Sequence, residues 1–405
     1  MHVAKSRLSG KLSLPPSKSH TMRSLILAAQ AKGSSTIHNP LPSPDTEKMV
    51  QALAALGVDV KQKGSFTVKG GLEHQNKHID VGNSGLAFRF VTSLAALGDK
   101  EVSITGDKSI QTRRQIKPLI NAINQLGGKA KFENGVVTVQ GPIRSGTATL
   151  DGAESQPVSA LLMTTPFLEG ETVLKVENPG EKPFIDLTLY WLKKMGIDVW
   201  HENYQTYRVK GGHQACPFEI SIPSDWSSAA FPIVAALITK SPIQIEGLDL
   251  QDAQGDKIIV DWLSDHLYGN LFIKPGPLMG GTFDVNDCID ALPILAVLGC
   301  FAEMPLHLVN AKIARQKESD RLHAITIELR KMGGIILEFE DSLTIYPSKL
   351  HGATVHSHFD HRIAMALAIA AMGADGETEI QESGCIEKSF PDFVATFRSL
   401  GARIR

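Results

Sequence analysis

One structural unit recurs about six times along this chain, and that internal repetition limits its fold more than any other feature. Helix starts were read as a polar or capping residue ahead of an apolar run of period 3.6. They run in order from "SKSHTMRSLILAAQA", "PDTEKMVQALAALG", "GNSGLAFRFVTSLAALG", "RRQIKPLINAINQLGG", "SQPVSALLMTTPFLEG" and "PFIDLTLYWLKKMG" to "SDWSSAAFPIVAALI", "GDKIIVDWLSDHL", "NDCIDALPILAVLG", "ESDRLHAITIELRKMGG", "DHRIAMALAIAAMG" and "FPDFVATFRSLG". Short β-rich runs such as "VSITG", "GVVTVQG", "LHLVNA" and "LTIYPS" separate them. The helices alternate between two kinds. The first is Ala-rich and apolar on nearly every face, so it belongs in a core; the second is amphipathic and often ends in Gly. The unit reads as strand, helix, strand, helix, then one or two strands. Three such units with the apolar helices inward make one domain, and six make two similar α/β (α+β) domains.

The chemistry gathers where these helices begin. In "LPPSKSHTMRSLILAA" an apolar helix opens on Lys18 and Ser19, with Arg23 one turn further in. Helix starts ordinarily favour Asp or Glu, because the positive end of the dipole lies there. The device recurs with Asn83, Ser84, Gly85 and Arg89 at the third start and Arg113 and Arg114 at the fourth. Ser155 and Gln156 open the fifth, and Asp287 and Asp290 the ninth. Lys317, Glu318, Asp320 and Arg321 precede the tenth, Asp360, His361 and Arg362 the eleventh, and Lys388 the twelfth. One cation at a helix start is ordinarily just solvated. Many together, with free helix N–H groups, suit phosphate and carboxylate. Such starts repel one another without an anionic ligand, so the expected substrate carries several negative charges. Asp290 and Glu318 stand among the cations. They read either as structural ion pairs or as groups that move a proton.

Net charge is only −2 over 405 residues, so no overall field attracts nucleic acid or a membrane surface. No apolar run is long enough to span a bilayer. The start of the chain lacks a secretory pattern. Cys216, Cys288, Cys300 and Cys385 are dispersed and form no CxxC pair, which suits a reducing compartment. The expectation is a cytoplasmic protein. "HSHFDH", His356 to His361, has the HxHxDH spacing of zinc metallohydrolases, but no further His follows it and the expectation is that it holds no metal. "GNSG" alone says little about phosphate, and no GxGxxG or Walker pattern supports a nucleotide fold.

The segments "PPSKSHTMR", "GNSGLAFR", "ITGDKSIQTRRQIKPL", "SQPVSALLM", "KPFIDLTL", "PSDWSSAAF", "IDALPILA", "QKESDRL", "DHRIAMALA" and "KSFPDF" occur in that order. With them the chain resembles the 5-enolpyruvylshikimate-3-phosphate synthase family almost end to end. The resemblance implies a two-domain inside-out α/β barrel, each domain three βαβαββ repeats with pseudo-threefold symmetry. It implies one lobe from 1–16 plus 225–405, a second from 17–224, hinges near Pro15–Ser17 and Pro223–Asp225, and an active site in the cleft between the lobes. It implies transfer of the enolpyruvyl group of phosphoenolpyruvate to the 5-hydroxyl of shikimate 3-phosphate, in the pathway to chorismate and the aromatic amino acids. No metal or organic cofactor is implied, and we expect a monomer.

Carried over by position, Lys18 touches both substrates, while Ser19 and Arg23 hold shikimate 3-phosphate, Arg23 through the carboxylate. Ser155 and Gln156 match the segment at that substrate's phosphate and at the ketal intermediate. Gly85 lets phosphoenolpyruvate approach the backbone, and Arg114, Arg321, Arg362 and Lys388 match anion ligands. Asp290 matches the proton acceptor at the 5-hydroxyl and Glu318 the proton donor to the enol carbon. Lys317 helps orient the hydroxyl, and Arg89 and His361 have supporting roles. Glu154 and Glu181 depart from the pattern, standing where many members have phosphate-binding serines. Either they turn away or Lys182 takes over. Gln115, Leu86 and Phe90 replace a Pro, a Thr and a Pro, and the crowding at Leu86 and Phe90 points to reduced glyphosate sensitivity. The alternative is the sister enzyme, UDP-N-acetylglucosamine 1-carboxyvinyltransferase. It typically carries a cysteine in the loop that here reads "TGDKSIQTRRQIKPL", and more often has Lys-Asn where this chain has "SKS".

Overall fold

A computed structural model describes residues 1–73, 77–269 and 271–405. The chain divides into two compact units. The terminal unit comprises Met1–Pro15 and Pro223–Arg405, and the inserted unit comprises Pro16–Ile222.

The helices of two turns or more are α1 (Lys18–Gln30), α2 (Pro44–Ala55), α3 (Gly85–Ala95), α4 (Lys117–Gln125), α5 (Ser155–Leu162) and α6 (Lys182–Lys194) in the inserted unit. In the terminal unit they are α7 (Trp226–Ile238), α8 (Leu292–Cys300), α9 (Arg321–Lys331) and α10 (His361–Gly373). Every residue of α3, α7 and α8 is buried, and α10 is buried from His361 to Met372. A helix apolar all round has no face for water and sits inside. In the terminal unit α7, α8 and α10 pack on one another; in the inserted unit α3 touches both α1 and α5. The amphipathic helices α2, α4, α6 and α9 each bury one face.

Around these helices the described strands form six four-stranded sheets, three per unit, all with one pattern. In the inserted unit Lys77–Asp80 runs parallel to Val102–Thr105, which pairs antiparallel with Val136–Gln140, which pairs antiparallel with the edge strand Lys129–Glu133. Thr147–Asp151, Glu171–Glu177, Thr206–Lys210 and Val199–Glu202 repeat it. So do Gly281–Asp284, Leu306–Val309, Leu343–Tyr346 and Ile335–Glu338 in the terminal unit. Three βαβαββ repeats with their apolar helices inward make each unit an inside-out α/β barrel with pseudo-threefold symmetry. Some repeats borrow a strand from far along the chain. Gly10–Ser13 runs parallel to Ile243–Glu246, His2–Ala4 lies between Glu377–Gln381 and Arg403–Ile404, and Glu219–Ser221 returns to Ser34–His38.

Some expected helix starts are corrected. Arg113 and Arg114 do not open a helix. They follow a short helix at Lys108–Thr112, and α4 begins at Lys117, where Pro118 fits the first turn. Asp287 and Asp290 lie on a 3₁₀ stretch, Asn286–Ala291, kinked at Cys288 (φ −139°, ψ 44°), ahead of α8. "GDKIIVDWLSDHL" is a broken series of short turns, and Lys388 ends another 3₁₀ stretch, Ser383–Lys388.

Where a sheet's antiparallel strand passes under a buried helix's end, the backbones come very close. At Gly211 a Cβ would run into the carbonyl oxygens of Leu168 and Gly170, while its N–H donates to Gly170 O at 2.7 Å. Neither carbonyl can yield like the end of a flexible side chain. Gly211→Ala is therefore expected to lower the stability of the inserted unit by roughly 2 kcal/mol or more, read as the shift in its urea unfolding midpoint; an unchanged midpoint would show that the two segments can separate.

Candidate functional site

The terminal unit brings its expected acids and arginines into one cluster, and the inserted unit holds its expected residues in several smaller groups. In the terminal unit the centre is Arg321, the first residue of α9, 1% exposed. Its Nε donates to Asp360 Oδ2 (2.8 Å), its Nη1 to Asp290 Oδ1 (2.6 Å) and its Nη2 to Glu318 Oε2 (2.8 Å). Burial opposes the charge, but Asp360, then Glu318 and Asp290, outweigh it and hold the guanidinium ionised. Lys388 Nζ donates to the other oxygen of Glu318 at 3.0 Å. Arg362 Nη2 donates to Asp290 Oδ2 at 3.3 Å and its Nη1 to Ser227 O at 3.0 Å. Asp360 also caps α10 by accepting from Arg362 N at 2.9 Å and accepts from Ser319 Oγ at 3.0 Å. One carboxylate thus joins a helix start, a buried arginine and the loop before α9.

The two expected proton-handling acids have different surroundings. Burial works against the charge of Asp290, but Arg362, then Arg321 and Lys317, hold its carboxyl well below the usual carboxylate range. Glu318 is held from one side by Arg321 and from the other by Lys388. Beneath them lies an acid that sequence reasoning missed. Asp256, 4% exposed, accepts from Ser227 Oγ at 2.7 Å through Oδ2, while its buried Oδ1 has no hydrogen-bond partner. Burial, then the facing Asp290, push its carboxyl up to about 7. The only sequence signal was an acid in "QGDK", and that became informative only once the turn packed on Ser227.

In the inserted unit Lys18, at the start of α1, lies 3.4 Å from Asp45. Arg23 is 1% exposed, and its nitrogens donate to Thr188 Oγ1 (2.9 Å), Ser19 O (3.2 Å) and Phe184 O (3.0 Å), all neutral. With no acid to offset it, burial pushes this guanidinium down to about 9. The Phe90 ring lies 5.7 Å below it, so this replacement packs on a site cation rather than on bystander core. Gly85 starts α3 directly beneath Arg114: a Cβ there would lie 2.9 Å from Arg89 Nη1 and 3.0 Å from Arg114 Nη1. Arg89, fully buried, donates to Gly85 O (3.2 Å), Gln115 O (2.7 Å) and Glu154 Oε2 (2.7 Å). It ties α3, the Arg114 loop and the start of α5 together. Ser155 N and Oγ both donate to Glu181 Oε2, each at 2.9 Å.

One expectation is corrected here. The helix-start cations do not stand unopposed: Lys18, Arg89, Arg321, Arg362 and Lys388 each meet a carboxylate of this chain, whereas Arg23 keeps only neutral acceptors. Glu154 turns to Arg89 and Glu181 to Ser155, while Lys182 Nζ lies over the Tyr204 ring at 5.8 Å. As for "HSHFDH", His358 Nε2 pairs with Glu328 at 2.7 Å, Asp360 is spent on Arg321 and its helix, and no metal-ligand group of three occurs among the described residues. Nor is any described helix long and apolar enough to cross a membrane.

Residues 3–397 match the family model of EPSP synthase (3-phosphoshikimate 1-carboxyvinyltransferase). The 3-phosphoshikimate 1-carboxyvinyltransferase of Chlamydia felis is 43% identical over 100% of this chain and 94% of its own length. That of Ruminiclostridium cellulolyticum is 41% identical over 100% of this chain and 99% of its own. A solved EPSP synthase from Acinetobacter baumannii superposes with a TM-score of 0.81 at 26% identity, covering 99% of this chain and 98% of that one. The enolpyruvyl transferase NikO from Streptomyces tendae shares the fold at TM-score 0.81 and 19% identity. A matched sequence along nearly its whole length, the repeated barrel and the two charged clusters agree: the chain belongs to the EPSP synthase family.

Proposed function

We infer that the protein transfers the enolpyruvyl group of phosphoenolpyruvate to the 5-hydroxyl of shikimate 3-phosphate, giving 5-enolpyruvylshikimate 3-phosphate and phosphate. The observation that carries the assignment of roles is the Arg321 fork, which bonds Asp290 and Glu318 through different nitrogens. Two carboxylates fixed by one rigid group suit a reaction that removes a proton from one atom and adds one to another.

Burial opposes the charge of Asp290, but the surrounding cations keep it ionised and a weak base, and Glu318 lies between Arg321 and Lys388. Phosphoenolpyruvate changes that. Its phosphate and carboxylate draw on Arg321, Arg362, Lys388 and Arg114. Each negative charge brought close raises the affinity of a nearby carboxylate for a proton. Substrate binding therefore moves both acids toward working range. Glu318 then protonates C3 of the enol, and C2 gains carbocation character. The 5-hydroxyl attacks C2 while Asp290, helped by Lys317, accepts its proton. The resulting ketal loses phosphate as a C3 proton returns to a carboxylate. Lys18, Ser19, Arg23, Ser155 and Gln156 bind the acceptor, Gly85 admits phosphoenolpyruvate to the backbone, and the cations stabilise the charge that develops on phosphate. We further place the protein in the cytoplasm, a reading supported by its four free thiols, and take it to act as a monomer.

Asp290→Asn and Glu318→Gln are each expected to lower kcat for phosphate release about 10²–10⁴-fold, with KM for both substrates changed only a few-fold. Either variant keeping a tenth of wild-type turnover would remove that residue from its role. Release with UDP-N-acetylglucosamine as acceptor would instead favour the sister reaction.

Asp256 gives a pH dependence. Its carboxyl is raised in the folded state, so between about pH 4 and about 7 the folded chain holds a proton that the unfolded chain has lost. Stability from this group is present at low pH and is lost as pH rises through about 7. Wild type should melt at lower temperature relative to Asp256→Asn at pH 8 than at pH 5; melting curves that stay parallel across that range would contradict a buried protonated Asp256.

A further inference from the structure

The segment "HSHFDH" has the spacing of a metal site, yet in the fold its side chains bond the chain itself and build the turn that carries Asp360. That turn joins the strand Thr354–His356 to α10. Its backbone is left-handed at two successive residues, His358 (φ 54°) and Phe359 (φ 57°). Phe359 is bulky and 60% exposed, and neither its shape nor its packing selects that conformation. Hydrogen bonds impose it. Ser357 N donates to Gln381 O at 3.1 Å and Asp360 N to Ser357 O at 3.0 Å. His358 N donates to His356 Nδ1 at 2.7 Å and Phe359 N to Ser357 Oγ at 3.1 Å. The N–H of His356 and the ring of His358 both turn to one carboxylate, Glu328, two turns along α9 from Arg321. Glu328 is fully buried. It accepts from His356 N at 3.0 Å, from His358 Nε2 at 2.7 Å and from Lys331 Nζ at 2.8 Å. Burial opposes its charge, but Lys331, then His358 and the His356 N–H, hold its carboxyl below the usual range.

One face of α9 therefore meets this turn twice, at residues seven apart. Arg321 Nε bonds Asp360 at 2.8 Å, and Glu328 holds His356 and His358. We propose that Glu328 is a positioning residue for the transfer reaction: it fixes the left-handed turn at His358 and Phe359, and with it the place of Asp360 and the aim of the Arg321 fork at Asp290 and Glu318. Asp360 directs a guanidinium only as firmly as its own backbone is held. Without Glu328, residues 358 and 359 relax toward negative φ, and the residue that follows them is re-aimed. A displacement of about 1 Å at a reacting group is enough to lower a rate about 100-fold. Glu328 touches no substrate and moves no proton. The inference rests on the reading of the reaction given above, in which Asp290 and Glu318 handle the protons.

The test measures kcat and both KM values, by phosphate release, in wild type, E328L, F359G and E328L/F359G. Leucine fills the space and accepts no hydrogen bond, while glycine adopts positive φ without steric cost. E328L is expected to lower kcat about 10–100-fold and to raise KM for phosphoenolpyruvate about fivefold, because Arg321 and its neighbours are re-aimed. KM for shikimate 3-phosphate, assigned to the inserted unit, should change by less than about twofold. Loss of folded enzyme would lower kcat and leave both KM values in place. F359G alone should keep kcat within about twofold of wild type, and E328L/F359G should recover about fivefold or more of what E328L loses. Should E328L not fold, E328Q keeps the shape with one acceptor oxygen in place of two, and its kcat should fall about fivefold with the same rescue by glycine. Wild-type kcat in the Glu328 variant, a fall in kcat with both KM values unmoved, or no recovery in the double variant overturns the proposal. Wild type that releases no phosphate with shikimate 3-phosphate overturns the reading of the reaction instead.

Discussion

A single buried guanidinium sets the geometry on which the terminal unit's chemistry depends. Arg321 is enclosed, charged and hydrogen-bonded to three carboxylates. Removing one partner from such a buried set leaves uncompensated charge and costs about 3–5 kcal/mol, so none of the four groups moves independently. Asp360 fixes the arginine to α10, the arginine fixes Asp290 and Glu318, and Lys388 closes the far side of Glu318. Precise placement of two acids thus needs one planar fork whose nitrogens point in fixed directions, which lysine cannot supply.

The inserted unit solves a different problem. Lys18 pairs with Asp45 and Arg89 with Glu154, whereas Arg23 is buried among neutral acceptors. Ser159 and Thr188 support that arrangement, since the Thr188 hydroxyl that accepts from Arg23 donates to Ser159 at 2.9 Å. A cation left without an acid inside a protein is costly to hold, and an anionic group relieves that cost on binding. The terminal unit stores its charge in mutual bonds that a substrate must share, whereas in the inserted unit Arg23 carries its charge with no acid bonded to it.

Much of this was legible in the sequence for a simple reason. An Ala-rich helix apolar on every face has one place to go, so α3, α7, α8 and α10 were readable as core, and their spacing gave the repeat. The borrowed strands were not readable from spacing, because Gly10–Ser13 and Glu219–Ser221 find their partners far away in sequence; only the resemblance put the first segment with the C-terminal half. Arg114 was grouped with a charged cluster but misplaced onto a helix start, since periodicity blurs where a turn becomes a helix. Pairing was the largest omission. That Asp290, Glu318 and Asp360 converge on one arginine, or that Asp256 sits under Ser227, depends on tertiary packing that no spacing encodes. Glu181 was noticed as a departure, but its inward turn depends on a left-handed backbone that glutamate's own preferences argue against.

The central claim is that Arg321 holds Asp290 and Glu318 in working position. Transfer through a protonated C3 places solvent hydrogen on the enolpyruvyl carbon, so reaction in D2O labels the vinyl group of the product. The most direct measurement is the rate of that labelling in Arg321→Lys, which keeps a positive charge but cannot bridge three carboxylates. The account predicts a fall of about 100-fold or more in a variant that still folds and binds phosphoenolpyruvate. Labelling at the wild-type rate would contradict it.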